Sequence, residues 1–296
     1  MKTNIPLIII LFCLLQLPFL KSVAQPYFDI ANIYYQHSPD NSLSHSKDTA
    51  LNTQLISVSL RAAFQIKKDH VIINPFYDYF QLQISDNEKQ KLYGIGLALT
   101  YLKQWKNEKW STAFVVIPRL NSDLKKADEN DYQIGGALMG IYKKNENLSY
   151  KFGVYYNSEF FGPFIIPLLG LEWKVSSKLN ISGVIPNQVN LEYKFSKSFY
   201  GGVEMNFMTK SYRYEDNSFL RINDNHVKIY LDTYITRNIV FNLQAGQSAL
   251  RKYKWGVREQ GSTKYFDQDV NDGLLFRAGI AYRLRLDEKK ETPKLF

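Results

Sequence analysis

Cysteine is all but missing: the single Cys13 lies inside an apolar run from Ile5 to Leu20. If that run is a leader, the remaining chain has no disulfide, no thiolate metal site and no cysteine to carry a lipid anchor. Lys2 supplies a positive start and Ser22-Val23-Ala24 is a small-x-small cleavage site, so residues 1–24 read as an export signal and 25–296 as one domain beginning at Gln25. Beyond residue 24 no stretch of about 18 uninterrupted apolar residues occurs, which excludes membrane-spanning helices. A concentrated block of one charge is missing too. Without Lys2 and Lys21 the 37 basic residues become 35 against 28 acidic ones, and the formal charge falls from +9 to +7. That modest excess, spread along the chain, gives no reason to expect a nucleic-acid partner. The chain has no internal repeat, no low-complexity tract and no second composition regime.

What the chain does have is alternation. Ile56, Val58, Leu60, Phe64 and Ile66 interleave with Ser57, Ser59, Arg61 and Gln65; Leu274, Phe276, Ala278, Ile280, Tyr282 and Leu284 interleave with Leu275, Arg277, Gly279, Ala281 and Arg283. A period of two is the strand period. Segments of this kind, repeated behind an export signal, predict an all-β fold: a single transmembrane antiparallel β-barrel with one face in lipid and the other in the lumen. Tyr 21, Phe 19 and Trp 4 suit the aromatic girdles of such walls.

Fourteen strands are expected, at 27–36, 54–67, 70–84, 91–105, 110–120, 131–143, 148–158, 165–175, 179–186, 188–195, 198–210, 225–235, 238–249 and 273–285. Brief turns such as Lys67-Lys68-Asp69 and Thr236-Arg237-Asn238 mark the inner side. Longer connections at 37–53, 85–90, 121–130, 159–164, 211–224 and 250–272 mark the outer side. Pro186-Asn187-Gln188 breaks the rule, being short where a long loop is expected, so twelve strands is the alternative count. Pro75 and Pro118 must fall where a ladder bond is dispensable. Inward Gly94, Gly96 and Gly135 make room for larger neighbours or for a ligand.

The parity that keeps Tyr150, Phe152, Val154 and Tyr156, or Val227, Ile229, Leu231 and Ile235, on an uncharged face puts the charges on the other. Glu172, Lys174, Glu192, Lys194, Glu204, Lys210, Lys228 and Asp232 form the strongest constellation. They serve either as a selectivity ladder across a pore or as salt bridges filling a barrel too narrow to be empty. Phe160, Phe161, Phe164, Ile166 and Leu168 make the one markedly apolar outer segment. It either dips into the mouth as a constriction or entrance, or beds a strand end in the outer leaflet. His37 and His45 share a loop with Asp40 and Asp48, a spacing more typical of solvated side chains than of a metal site. His226, with a wall serine, imitates part of a hydrolytic triad, although no serine has a diagnostic context. The residues call for no cofactor and no metal, and no enzyme is expected.

The strand Arg277-Ala278-Gly279-Ile280-Ala281-Tyr282-Arg283-Leu284 resembles the C-terminal insertion signal of bacterial barrels, with Arg277, Gly279, Tyr282 and Leu284 at its marked positions, although a charged tail follows it here. That resemblance implies the barrel-assembly machinery as a partner during insertion. Through Leu171-Glu172-Trp173, Ile185-Pro186-Asn187 and Leu191-Glu192-Tyr193 the chain also resembles uncharacterised Gram-negative outer-membrane β-barrel families of the domain-of-unknown-function type. It is faintly similar to hydrophobic-compound transport barrels. The expectation is thus a bacterial outer-membrane protein with the lipid bilayer as partner. Its function is a narrow channel or porin for small solutes or hydrophobic compounds, and the alternative is a barrel enzyme acting on lipid or lipopolysaccharide.

Overall fold

The structure, a computed structural model, describes residues 26–43, 46–84, 89–214, 218–259 and 262–286; for 40–43, 46–50, 258, 259 and 266–269 it describes the backbone alone. Sixteen strands are present among the described residues: β1 (Tyr27–Leu43), β2 (Ser46–Leu60), β3 (Ala62–Ile66), β4 (Asp69–Ile84), β5 (Gln90–Gln104), β6 (Trp110–Ser122), β7 (Tyr132–Lys143), β8 (Leu148–Glu159), β9 (Gly162–Lys174), β10 (Leu179–Ile185), β11 (Gln188–Lys194), β12 (Phe199–Arg213), β13 (Ser218–Tyr234), β14 (Ile239–Glu259), β15 (Ser262–Asp269) and β16 (Leu274–Arg285). Neighbours in sequence pair antiparallel around the sheet, β13 pairs β14, β14 pairs β16 and β16 pairs β1. The result is a closed ring of fourteen positions, because β2 and β3 share one position and β15 is a flap paired to β14 alone.

Fourteen is the count expected from alternation, and β10 and β11 are both kept, pairing from Leu179↔Tyr193 to Val184↔Gln188. The expected outer loops at 37–53, 211–224 and 250–272 need correction. The backbone remains strand to Leu43, resumes at Ser46, continues to Arg213 and extends through Glu259 into β15. In these stretches Leu51, Tyr212, Leu220, Ile222 and Tyr253 turn into the lumen while Lys252 is exposed, so the ladder continues beyond the wall whose outer face is apolar.

Pro75 and Pro118 each meet a gap in one neighbouring ladder. The β5–β6 ladder skips from Gly96↔Arg119 to Leu99↔Val116, leaving Pro118 in the interval. Pro75 has no N–H to give to the neighbouring strand, and there the partner strand breaks at Arg61, between β2 and β3. The Leu60 carbonyl takes its hydrogen bond from the Asn74 side-chain amide instead, at 2.6 Å.

Ile33, Leu60, Ile95, Phe152, Ile165, Leu169, Ile229 and Ile280 stand on the outside, several of them two-thirds exposed. Glu172, Glu192, Glu204, Lys228 and Asp232 are all buried on the inside. An outer surface this apolar, with its charge turned in, is the inverse of a soluble sandwich. Aromatic side chains gather toward the end that carries the brief turns, where Trp105, Trp110, Tyr150, Trp173, Tyr193, Phe195 and Tyr282 are exposed.

Candidate functional site

The lumen is divided in two. In its half nearer the start of β1 and the end of β16 lies a cavity of about 420 Å³, reached by Arg61, Lys151, Glu172, Glu204, Asp232, Arg277 and Arg283. Above it, inward residues of opposite walls meet: Leu51 and Leu55 of β2, Phe80 and Leu82 of β4 and Leu92 of β5 pack against Tyr212 of β12, Leu220 and Ile222 of β13 and Tyr253 of β14. The Phe80 ring stacks on Tyr212 at 6.3 Å and meets Tyr253 edge-on at 6.5 Å. At the same level β12 crosses the lumen to touch β6, with Arg213 beside Ser122 and the Asp123 amide donating to the Arg213 carbonyl at 3.1 Å.

The eight charged positions singled out by parity separate into pairs. Glu204 sits 2.6 Å from the Lys228 ammonium and 3.4 Å from Arg277. Glu192 receives Arg285 through two hydrogen bonds of 2.9 and 3.0 Å. Asp232 takes Arg283 at 2.6 Å and the Asn242 amide at 2.5 Å, while Glu172 pairs with Lys151. Lys210 reaches across to Asp78, 2.5 Å away on β4. Lys174 and Lys194 remain half-buried, and the Lys194 ammonium lies 5.3 Å from the centre of the Tyr200 ring. Pairs of this kind, with every carboxylate held, rigidify a lumen as much as they charge it.

Several of these partners escaped sequence reading. Asp78 lies 132 residues from Lys210, and Arg119 of β6 reaches Glu159 of β8 at 2.9 Å in a second network. There the Ser211 hydroxyl donates to Glu159 at 2.5 Å and accepts from the Gln133 amide and the Phe160 backbone N–H. Inward parity was the available signal. The particular pairing needs the ring to close.

Phe160 and Phe161 form the tight turn between β8 and β9, with Gly162 at φ 122°, a conformation open to glycine. The Arg221 guanidinium covers the Phe161 ring at 4.1 Å and Phe164 meets it edge-on at 5.9 Å. Leu168 is buried on the lumen side, Ile166 half-buried on the same parity, and Ile165 and Leu169 point outward. The segment is therefore wall, with one ring tucked under Arg221.

His226 is buried in the lumen with Nε2 3.0 Å from Asp224 Oδ1, and the other oxygen of Asp224 holds Arg251 at 3.0 Å. Ser248 is its cross-strand partner, but the Ser248 hydroxyl is engaged with the backbone of Gly273. His37 Nδ1 lies 3.2 Å from the Thr53 carbonyl oxygen; the side chains of Asp40, His45 and Asp48 lie outside the described residues. Arg277, Gly279, Tyr282 and Leu284 all sit in β16, where a Cβ on Gly279 would come within 2.9 Å of the Tyr34 side chain. The leader expected at residues 1–24 and the charged tail after Leu286 also lie outside the described residues.

Residues 73–283, well over half of the chain, match the family described as Domain of unknown function (DUF6268). The chain belongs to that family. No curated protein matches the sequence of this DUF6268 member. Among solved structures, an outer membrane channel of Pseudomonas putida F1 (COG4313) is similar at 11% identity and TM-score 0.49, over 90% of this chain and 99% of that one. The NanC porin is similar at 8% identity and TM-score 0.38, over 86% and 100%. The Pseudomonas putida toluene transporter TodX is similar at 10% identity and TM-score 0.38, over 87% and 90%. The barrel assignment for this DUF6268 chain stands on its own closed ladder.

Proposed function

We propose that this DUF6268 protein spans the bacterial outer membrane and conducts small polar solutes through a narrow lumen. The observation that carries the reading is the charge-lined cavity in the lumen behind an outer wall of uncharged apolar side chains. An Arg or Lys near the bilayer midplane costs about 2–4 kcal/mol on the lipid face. The inward placement of Arg61, Lys151, Glu192 and Arg277 therefore matches hydrocarbon outside and water or ion pairs inside. In this reading residues 1–24 export the chain, and the barrel-assembly machinery recognises β16 through Arg277, Gly279, Tyr282 and Leu284.

The apolar packing of Phe80, Tyr212 and Tyr253 above the cavity favours a second cargo, hydrophobic compounds entering from the end opposite the brief turns. An enzyme is the weaker reading, because His226 is buried on the lumen face and away from lipid. Purified protein in planar bilayers should give discrete single-channel currents, and liposomes should swell with small sugars but not with larger oligosaccharides. Silence in both assays, with lipid hydrolysis lost in His226→Ala, would replace the channel with the enzyme.

A further inference from the structure

Two features of the cavity are left over once its ion pairs are counted. The cavity and its direct ionic partners bring together five cations, Arg61, Lys151, Lys228, Arg277 and Arg283, against four carboxylates, Asp29, Glu172, Glu204 and Asp232. Every one of those carboxylates is paired: Asp29 and Asp232 share Arg283, Glu172 has Lys151, and Glu204 has Lys228 and Arg277. The surplus is Arg61. Among the described residues no carboxylate lies within ion-pair distance of it, and its guanidinium rests 5.3 Å from the centre of the Phe28 ring.

Local backbone construction explains why Arg61 can reach inward. The ladder is broken there opposite Pro75, the Arg61 N–H turns back to the Ile30 carbonyl at 2.6 Å, and the β1–β16 register shifts between Asp29 and Ala31. Interruptions of this sort re-aim a side chain beside a site.

The second leftover is a set of hydrogen-bond acceptors. Glu172 Oε2, Asn206 Oδ1 and Gln244 Oε1 belong to residues that line the cavity, yet each is buried without a partner, and the Tyr230 hydroxyl is in the same position. The Glu172 side chain is only 1% exposed and Gln244 9%. Buried acceptors without donors cost free energy until something supplies an N–H or O–H. An unpaired guanidinium asks for an anion and the idle oxygens ask for donors. Hydroxyl groups on a carboxylate satisfy both.

We infer that the cavity is a binding site for a small hydroxylated carboxylate, its charge held by Arg61 and its hydroxyls by the oxygens of Glu172, Asn206 and Gln244. About 420 Å³ lies within the range of small-molecule sites and is enough for a six-carbon acid. The inference rests on the channel reading for access to the cavity and adds to it a class of cargo.

Binding can be measured without flow. Detergent-refolded protein is titrated calorimetrically with gluconate, hexanoate and glucose, folding being checked by circular dichroism and heat-modifiable migration. Gluconate should bind, hexanoate and glucose at least tenfold more weakly. Arg61→Gln should bring gluconate down to the level of glucose, and Arg61→Lys should restore the difference. Hexanoate binding as well as gluconate would show the acceptors idle, and glucose binding as well would show the charge idle; either overturns the inference. So does the absence of heat with all three, which leaves the oxygens to water. Bilayer currents without gluconate binding retain the channel and sink the site, whereas binding without current does the reverse.

Discussion

At the scale of single residues the two faces of one strand carry opposite rules, and β13 shows both within two positions. Lys228 points inward, is 0% exposed and shares Glu204 with Arg277; Ile229 points outward and is 66% exposed. Glu204→Gln leaves two lumen cations without their carboxylate, and the expected loss is about 3–5 kcal/mol. Ile229→Arg puts a charge into hydrocarbon, with an expected loss of about 2–4 kcal/mol. Urea unfolding of both variants in vesicles checks the pair; a neutral Ile229→Arg would mean that this face does not meet lipid. Beyond the wall, at the end with the brief turns, Asp69 accepts from the Tyr101 hydroxyl at 2.5 Å, from the Gln104 backbone N–H at 2.9 Å and from Lys103 at 3.0 Å. Those donors, the Tyr101 hydroxyl foremost, lower the Asp69 carboxyl from 3.8 to about 2. A lowered value means that the contribution of this rim cluster is complete above the ordinary carboxylate value and fades as pH falls toward 2. Carbon-13 titration of the Asp69 carboxyl should show this, with Tyr101→Phe moving the midpoint upward. Both faces of β13 were legible from alternation alone. The Asp69 cluster was not, because it joins residues 35 apart through a turn that parity says nothing about.

Whole strands were read best where lipid constrains them. Within the apolar belt, a one-residue slip puts Glu192 or Lys228 into hydrocarbon, so the register follows from the sequence; β11 falls where alternation predicts, and so does β13 from Asn225 to Tyr234, although that strand starts seven residues earlier, at Ser218. Above the belt that constraint ends. β14 runs 21 residues, to Glu259, and its partner β15 stands outside the closed ring. There the ladder is held by backbone pairing from Lys252↔Asp269 to Glu259↔Ser262, with Tyr253 turned inward and Lys252 exposed, and a reading that requires an uncharged outer face takes it for loop. The flap returns to the barrel through the Thr263 hydroxyl, which donates to the Phe161 carbonyl at 3.3 Å, and through Tyr265 set edge-on against Phe219 at 6.1 Å. Since β13, β14 and β16 close the ring below it, replacing residues 258–269 by a short turn should leave folding intact. Heat-modifiable migration on gels checks this. A variant that fails to insert or migrates only as unfolded chain would show that β15 takes part in closure.

At the scale of the molecule, the ring closes a lumen that no local pattern describes. That Lys210 meets Asp78, that β12 leans on β6, and that Phe80 packs on Tyr212 all depend on which walls face each other, and facing walls are far apart in sequence. Alternation can say that a residue points inward but not what it meets there. The consequence is a barrel with a polar cavity at one level and an apolar partition at another, so flow should be limited by the partition and selected by the cavity. Apolar constrictions resist ions because water leaves them. Truncating Phe80 and Tyr212 to alanine removes the stacked rings at the centre of the partition, at a cost of about 3–5 kcal/mol for each buried ring. Paired truncation is therefore best made one ring at a time. Phe80→Ala alone should raise single-channel current severalfold while leaving ion preference unchanged, because Arg61, Lys228 and Arg277 stay in place. Arg61→Gln should do the opposite, shifting the reversal potential under a salt gradient toward cations with little change in current. Equal currents in wild type and Phe80→Ala would shift the bottleneck from the stacked rings to the neighbouring contact of β12 with β6, where Ser122 and Asp123 meet Arg213.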